Sequence, residues 1–161
     1  ALAGAHGNKI NFKVFRFFRL IVTNDGTYLL EYNMRLGDPE TQVILPLLEN
    51  NLLDVINDCL DGKDVELKFS DKKAVCLVMC SGGYPAKIQT GFEIKNLEKA
   101  HSQVLFAGAR NSGNKVLTTG GRVLCLVATA DSYEEARKTV YADAKTINFD
   151  YEYYRDDIGK F

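Results

Sequence analysis

The sequence predicts an α+β fold, in which a strand hairpin and helices precede a small, mixed, mostly antiparallel sheet with one covering helix. Three observations lead there. Asn24-Asp25-Gly26 separates two apolar runs, and these residues tolerate the positive φ that tight hairpin turns demand. Leu52, Leu53, Val55, Ile56, Cys59 and Leu60 recur at helical spacing, as do Tyr133, Ala136, Val140, Ala144 and Ile147 further on. Between those two patterns lie short apolar runs, among them AVCLVMC and RVLCLVA, punctuated by Gly-rich segments.

Taken in order, residues 1–9, with Gly4, Gly7 and Asn8, read as a frayed leading segment. INFKVFRFFRLIVT is the first strand and TYLLEYNMRL the returning one. Alternation on the second sends Leu30, Tyr32 and Met34 to one side and Leu29, Glu31, Asn33 and Arg35 to the other. Asp38-Pro39 reads as a helix start, with Asp as N-cap and Pro at the first helical position. ETQVILPLLEN is then a short helix bent at Pro46. NLLDVINDCLDG is a second helix, closed by Gly62.

DVELKF and KAVCLVMC read as strands, the latter buried on both faces, and SGGYPAKIQTG as a polar loop. VLFAGA, KVLTT and GRVLCLVAT are three further strands, the first two joined by the turn RNSGN. Ser132 and Glu135 form a capping box at the start of DSYEEARKTVYADAKTI, the clearest helix in the chain. The aromatic, charged tail NFDYEYYRDDIGKF packs over the sheet. The division between the two parts falls near Gly62 to Lys72 and is placed between residues 66 and 67.

A chain of 161 residues can build one ordinary domain or two small lobes, and 46% hydrophobic with 25% charged residues is a globular composition. A net charge of -1 with mixed signs offers no basic face for nucleic acid or an anionic membrane. No apolar run approaches the roughly 18 to 20 residues of a membrane span, and nothing resembles a signal peptide. The four cysteines, Cys59, Cys76, Cys80 and Cys125, each sit in an apolar run and read as reduced core thiols. That usage points to a reducing, cytoplasmic setting. With only His6 and His101 elsewhere, a zinc site is not expected. His101 reads as a surface residue before a strand, without a role. The chain starts at Ala1 rather than Met, so it is expected to be a piece of something longer.

Chemistry concentrates in EYNMRLGDPETQ, residues 31–42. Glu31 and Asn33 share one face of a strand, and a carboxylate with an amide carbonyl makes a hard oxygen pair suited to Mg²⁺. Arg35 on the same face can reach a phosphate or carboxylate. Spacing alone leaves another reading open, in which Glu31 and Arg35 are an ion pair on a solvated face and GDPE is only a helix start. In SGGYP, Gly82 and Gly83 let backbone N–H groups approach an anion or sugar, and Tyr84-Pro85 stiffens the exit; a plain turn is the alternative. In TTGGRVL, Gly120 and Gly121 set Arg122 at a strand start, with Lys115 and Arg110 near it in sequence.

EYNMRLGDPETQ resembles the signature of the glycinamide ribonucleotide synthetases, also called phosphoribosylamine–glycine ligases, which are ATP-grasp enzymes of purine synthesis. Its core RLGDPE is close to diagnostic, and the likeness continues through LPLLENNLLDVINDCLDG, AVCLVMCSGGYP, GGRVLCLVATADSYEEAR and YYRDDIG. It covers the chain from about Phe12 onward. The resemblance implies the distal part of an ATP-grasp domain over residues 1–66 and a C-terminal α+β domain over 67–161.

The implied reaction joins glycine to 5-phosphoribosylamine: ATP phosphorylates the glycine carboxylate, and the amine then displaces phosphate to give glycinamide ribonucleotide. Mg²⁺ or Mn²⁺ aligns the ATP phosphates, so positioning and electrostatics dominate. By match to the motif, Glu31 and Asn33 are the metal ligands and Arg35 is the catalytic residue, holding a phosphate or the glycine carboxylate. Asp38 and Glu40 orient the loop or the substrate amine. Gly83, Tyr84, Lys115 and Arg122 complete the substrate-binding set, with Arg122 on the ribose phosphate.

The expected partners are glycine, 5-phosphoribosylamine, ATP and the N-terminal half of the same enzyme, with no nucleic acid and no membrane. Three departures stand out. Phe17 to Ile21 offers no further metal carboxylate; VFRFFRL is bulky where the family has small residues, with Gly at the positions of Val14 and Arg19; and Phe106 stands where His is common. The family's phosphate loop and adenine-contacting Lys and Glu fall upstream of Ala1, so these residues alone are expected to be inactive. The rival expectation is a non-catalytic remnant serving as a structural or protein-binding module. A third, another ATP-grasp carboxylate–amine ligase, is opposed by RLGDPE.

Overall fold

The computed structural model describes Lys13 and residues 15–160. The expectations for the leading segment and for Val14 lie outside the described residues. The chain divides into two units, Ala1–Thr41 with Leu48–Lys68, and Gln42–Leu47 with Phe69–Phe161.

In the first unit, β1 (Phe17–Thr23) and β2 (Gly26–Asn33) form the expected antiparallel hairpin about Asn24-Asp25. Thr23 closes it: its hydroxyl donates to the Gly26 carbonyl at 3.1 Å and accepts from Asp25 N–H at 3.3 Å. The register pairs Phe17 with Asn33 and Arg19 with Glu31, then slips so that Leu20 pairs with Leu29. Leu30 is therefore the extra residue of a β-bulge. Paired residues share a face and neighbours alternate, so Leu29 lies opposite Glu31, not beside it as simple alternation predicts. Phe17, Arg19, Glu31 and Asn33 make up the shared face.

β2 ends at Asn33, which leaves Arg35 beyond the ladder. The helix start expected at Asp38 is also displaced. The Asp38–Pro39 peptide is cis, residues 38–40 form a turn, and α1 (Thr41–Ile44) begins only afterwards. α1 passes into a 3₁₀ turn, Leu45–Leu47, because Pro46 has no N–H with which to continue the ladder.

α2 (Leu52–Asp61) is capped at both ends. The Asn51 side chain accepts from the Leu53 and Asp54 N–H groups, and Gly62 takes a left-handed φ of 77°. Val55 alone is buried on this helix, and Cys59 is exposed, contrary to its reading as a core thiol. DVELKF is not a ladder strand. Its backbone is met by Asn50, which accepts from Lys68 N–H at 2.6 Å and donates to the Glu66 carbonyl at 3.2 Å.

The second unit contains β3 (Lys73–Ser81), β4 (Gln103–Phe106), β5 (Ala109–Ser112), β6 (Lys115–Thr118), β7 (Arg122–Ala130), α3 (Tyr133–Thr146) and β8 (Glu152–Tyr153). An antiparallel four-stranded sheet runs β4-β7-β3-β8, and β5–β6 is a separate hairpin. This is the α+β arrangement that the patterning predicts. Leu77, Met79, Leu124 and Leu126 on the sheet meet Ala136, Val140, Ala144 and Ile147, all fully buried. The opposite face buries Cys76, Cys125 and Val127 against Val43, Val78 and Leu105.

VLFAGA, expected as one strand, divides into β4 and β5 around Gly108, and the RNSGN turn contracts to Gly113-Asn114. On α3, Ser132 accepts from Glu135 N–H at 3.2 Å, as its capping role requires. Tyr133 is 43% exposed and so stands outside the apolar stripe. The tail adds β8 to the edge of β3 and then crosses α3, where Arg137 donates to the carbonyls of Ile158 at 3.0 Å and Asp156 at 2.6 Å. Among the described residues no helix is long and apolar enough to cross a membrane.

Candidate functional site

In the first unit two acidic side chains, Glu31 and Glu40, meet at Arg19. Its Nη1 lies 3.5 Å from Glu31 Oε1 and its Nη2 donates to Glu40 Oε1 at 3.0 Å. The hydrogen bond that Arg19 donates to Glu40, followed by the negative charges of Glu31 and Glu40, raises the Arg19 pKa above its ordinary value. Register explains the meeting: Arg19 and Glu31 are direct cross-strand partners, and the turn at residues 38–40 returns Glu40 to the same guanidinium. Glu40 packs on Gly37, where an added Cβ would lie 2.4 Å from the carboxylate. Thr41 fixes that turn, its N–H donating to the Gly37 carbonyl at 3.1 Å and its hydroxyl to the same oxygen.

Arg35 does not pair with Glu31. Its Nη1 donates to the neighbouring Leu36 carbonyl at 2.8 Å, which overturns the ion-pair reading. Glu31 and Asn33 do lie on one face, and the Glu31 side chain is 52% exposed. Among the described residues no group of three or more His, Cys, Asp and Glu side chains could enclose a metal. Two hard oxygens fit the small protein share of a Mg²⁺ or Mn²⁺ shell that phosphates and water otherwise fill.

In the second unit the two Gly-rich loops are stapled together. Ser81 N–H donates to the Gly121 carbonyl and Ser81 Oγ to the Gly120 carbonyl, each at 2.8 Å. Tyr84 packs against Gly121, where a Cβ would sit 2.3 Å from the ring. Gly83 has φ 86°, and a Cβ there would stand 2.0 Å from the Lys87 carbonyl. Arg122 opens β7 opposite Cys80. Burial pushes the Cys80 thiol pKa up, and the Arg122 charge partly opposes that shift.

Gly83, Tyr84 and Arg122 thus belong to one loop cluster. Lys115 does not. It stands at the tip of the β5–β6 hairpin, about 10 Å along β6 from Thr118, and its Nζ pairs with Glu93 at 2.8 Å. Asp38 is exposed in the turn that follows β2.

Sequence reasoning missed Asp143, a carboxylate only 2% exposed on the inner face of α3. Its Oδ2 accepts from His101 N–H at 2.9 Å and from the Ser102 N–H and hydroxyl, each at 2.6 Å. The signal was available, because Asp143 falls three residues after Val140 on the buried stripe. His101 is exposed, as expected, with its ring Nδ1 3.4 Å from Asp143.

A family model described as "Phosphoribosylglycinamide synthetase, C domain" matches residues 74–161. A phosphoribosylamine–glycine ligase from Fusobacterium nucleatum is 46% identical over 98% of this chain, and one from Clostridium acetobutylicum is 44% identical over 99%. The chain spans 39% of the length of each. The crystal structure of a phosphoribosylamine–glycine ligase from Thermotoga maritima superposes with a TM-score of 0.85 at 33% identity, covering 97% of this chain and 39% of the other. With its antiparallel sheet, covering helix and stapled glycine loops, the chain belongs to the phosphoribosylglycinamide synthetase family and carries that family's C domain.

Proposed function

We propose that this chain is the C-terminal part of a phosphoribosylamine–glycine ligase of the cytoplasm. In that reading ATP phosphorylates the glycine carboxylate, the amine of 5-phosphoribosylamine attacks the acyl carbon, and the C–O bond to phosphate breaks. ADP, phosphate and glycinamide ribonucleotide leave. The observation that carries it is the placement of Glu31 and Asn33 on one face of the hairpin, within a chain that matches such a ligase over 98% of its length.

Glu31 and Asn33 would hold Mg²⁺ or Mn²⁺, which when bound neutralises the charge of the ATP phosphates. Arg35 spends one N–H on Leu36 and keeps the rest of its planar fork for a phosphate or the glycine carboxylate. Asp38 orients the substrate amine. Gly83, Tyr84 and Arg122 take the phosphoribosyl group, with the Arg122 guanidinium on the phosphate. Lys115 joins them only if Glu93 releases it. The remaining length of the ligase, its N-terminal half, supplies the rest of the nucleotide site, so residues 1–161 alone are proposed to be inactive.

The test is glycine- and 5-phosphoribosylamine-dependent ADP formation by a full-length ligase that carries this sequence. Glu31→Ala is expected to abolish metal-dependent turnover while leaving the circular dichroism unchanged. Retained turnover would remove Glu31 from the metal site.

A further inference from the structure

We propose that Arg19 is a built-in counter-cation that competes with a divalent metal for the Glu31 carboxylate. This rests on the reading of Glu31 as a metal ligand. The geometry is lopsided. The guanidinium makes a hydrogen bond of 3.0 Å to Glu40 but only a 3.5 Å ionic contact to Glu31. Glu40 is the fixed end of this bridge: it packs on Gly37, with its side chain 28% exposed. Glu31 is the open end, 52% exposed on a strand that ends two residues later.

Arg19 can therefore let go of Glu31 and stay anchored on Glu40. A divalent ion arriving at Glu31 and Asn33 meets a carboxylate already partly neutralised by a cation on the adjacent strand. Two like charges so close repel, and the exposure of the pair keeps the effect modest, at about twofold to fivefold in metal affinity. Glu31 is thus buffered: Arg19 covers its charge when no metal is present and yields when one binds. Lys at this position would keep the charge but lose the two-pronged reach, because an ammonium lacks the planar fork.

Mn²⁺ alone serves as the probe, added to a deuterated, ¹⁵N-labelled full-length ligase that carries this sequence, while paramagnetic broadening of the Glu31 and Asn33 amides is followed by NMR. Arg19→Gln is expected to lower the Mn²⁺ concentration for half-broadening by about twofold to fivefold. That gap should shrink in high salt, and Arg19→Lys should fall between the two. The amide spectrum of each variant checks that the hairpin is intact. Arg19→Gln within twofold of the parent, with Glu31→Gln abolishing the broadening, overturns the competition and leaves Glu31 as the ligand. Broadening that survives Glu31→Gln overturns the metal-site reading itself, and the proposal with it.

Discussion

Replacing Asp143 with Ala removes the acceptor that holds the start of β4 against α3. Three donors converge on Asp143 Oδ2: the His101 N–H at 2.9 Å and the Ser102 N–H and hydroxyl at 2.6 Å each. A hydrogen bond to a charged group contributes about 1.5–3 kcal/mol, and an orphaned buried N–H costs about 1–3 kcal/mol. Because the donors act as a unit, the terms do not add, and the expected loss is about 3–5 kcal/mol. For a chain of this size that corresponds to a melting temperature lower by about 6–20 °C.

Equilibrium unfolding in urea measures it directly, as a shift of midpoint at constant slope. A loss below about 1 kcal/mol would refute the account of Asp143 as a clamp. The pH dependence supplies a second check. Burial raises the Asp143 pKa, but the hydrogen bonds from Ser102 and His101 outweigh it, so the folded pKa lies below the usual carboxylate value. A depressed folded pKa means the stabilisation is present above the unfolded pKa and is lost as pH falls through the folded one. Asp143→Asn should accordingly flatten the acid side of the stability profile, and an unchanged profile would contradict the argument.

Two further outcomes test the second unit. Gly83→Ala combines a φ of 86° with a Cβ 2.0 Å from the Lys87 carbonyl, and should cost about 1–3 kcal/mol, with amide shift changes confined to residues 81–88. Under the proposed function, Arg122→Gln in a full-length ligase that carries this sequence should raise the KM for 5-phosphoribosylamine by about tenfold or more. Lys115→Gln should change that KM by less than about threefold, because Lys115 is engaged with Glu93; equal effects from both would reverse the assignment.

Local signals in the chain were reliable where the physics was local. Gly62 and Ser132 cap their helices by contacts within a few residues, and Asn24-Asp25 turns the hairpin as expected. Failures arose where a distant partner decided the outcome. The bulge at Leu30 depends on the pairing with β1, and it alone moves Leu29 to the other face. The apolar positions of α2 form too broad a stripe to show which of them packs, and Cys59 proves to be outside. DVELKF has strand composition but is tied down by the Asn50 side chain and a backbone bond from Glu49 N–H to the Lys68 carbonyl instead of a full ladder. At the candidate site, RLGDPE pointed to the family, yet no spacing rule connects Arg19 to both Glu31 and Glu40. The staple of Tyr84 on Gly121 likewise joins segments far apart in sequence.

At Gly108 and Gly120 two backbones cross so closely that a Cβ on Gly108 would lie 2.7 Å from the Gly120 Cα. The Thr119 and Gly120 N–H groups both donate to the Gly108 carbonyl, at 2.7 and 3.2 Å, and Gly108 N–H donates to the Arg122 carbonyl at 2.8 Å. The hairpin between them leaves the four-stranded sheet at a neck that admits no side chain, and β6 is held along its length by backbone bonds to residues 91–94. Its free end, Gly113-Asn114, has open space around Gly113. Extra residues at that tip would extend a hairpin already locked at its neck and along β6, which makes it the natural place to graft a tag or spectroscopic label without disturbing the position of Arg122.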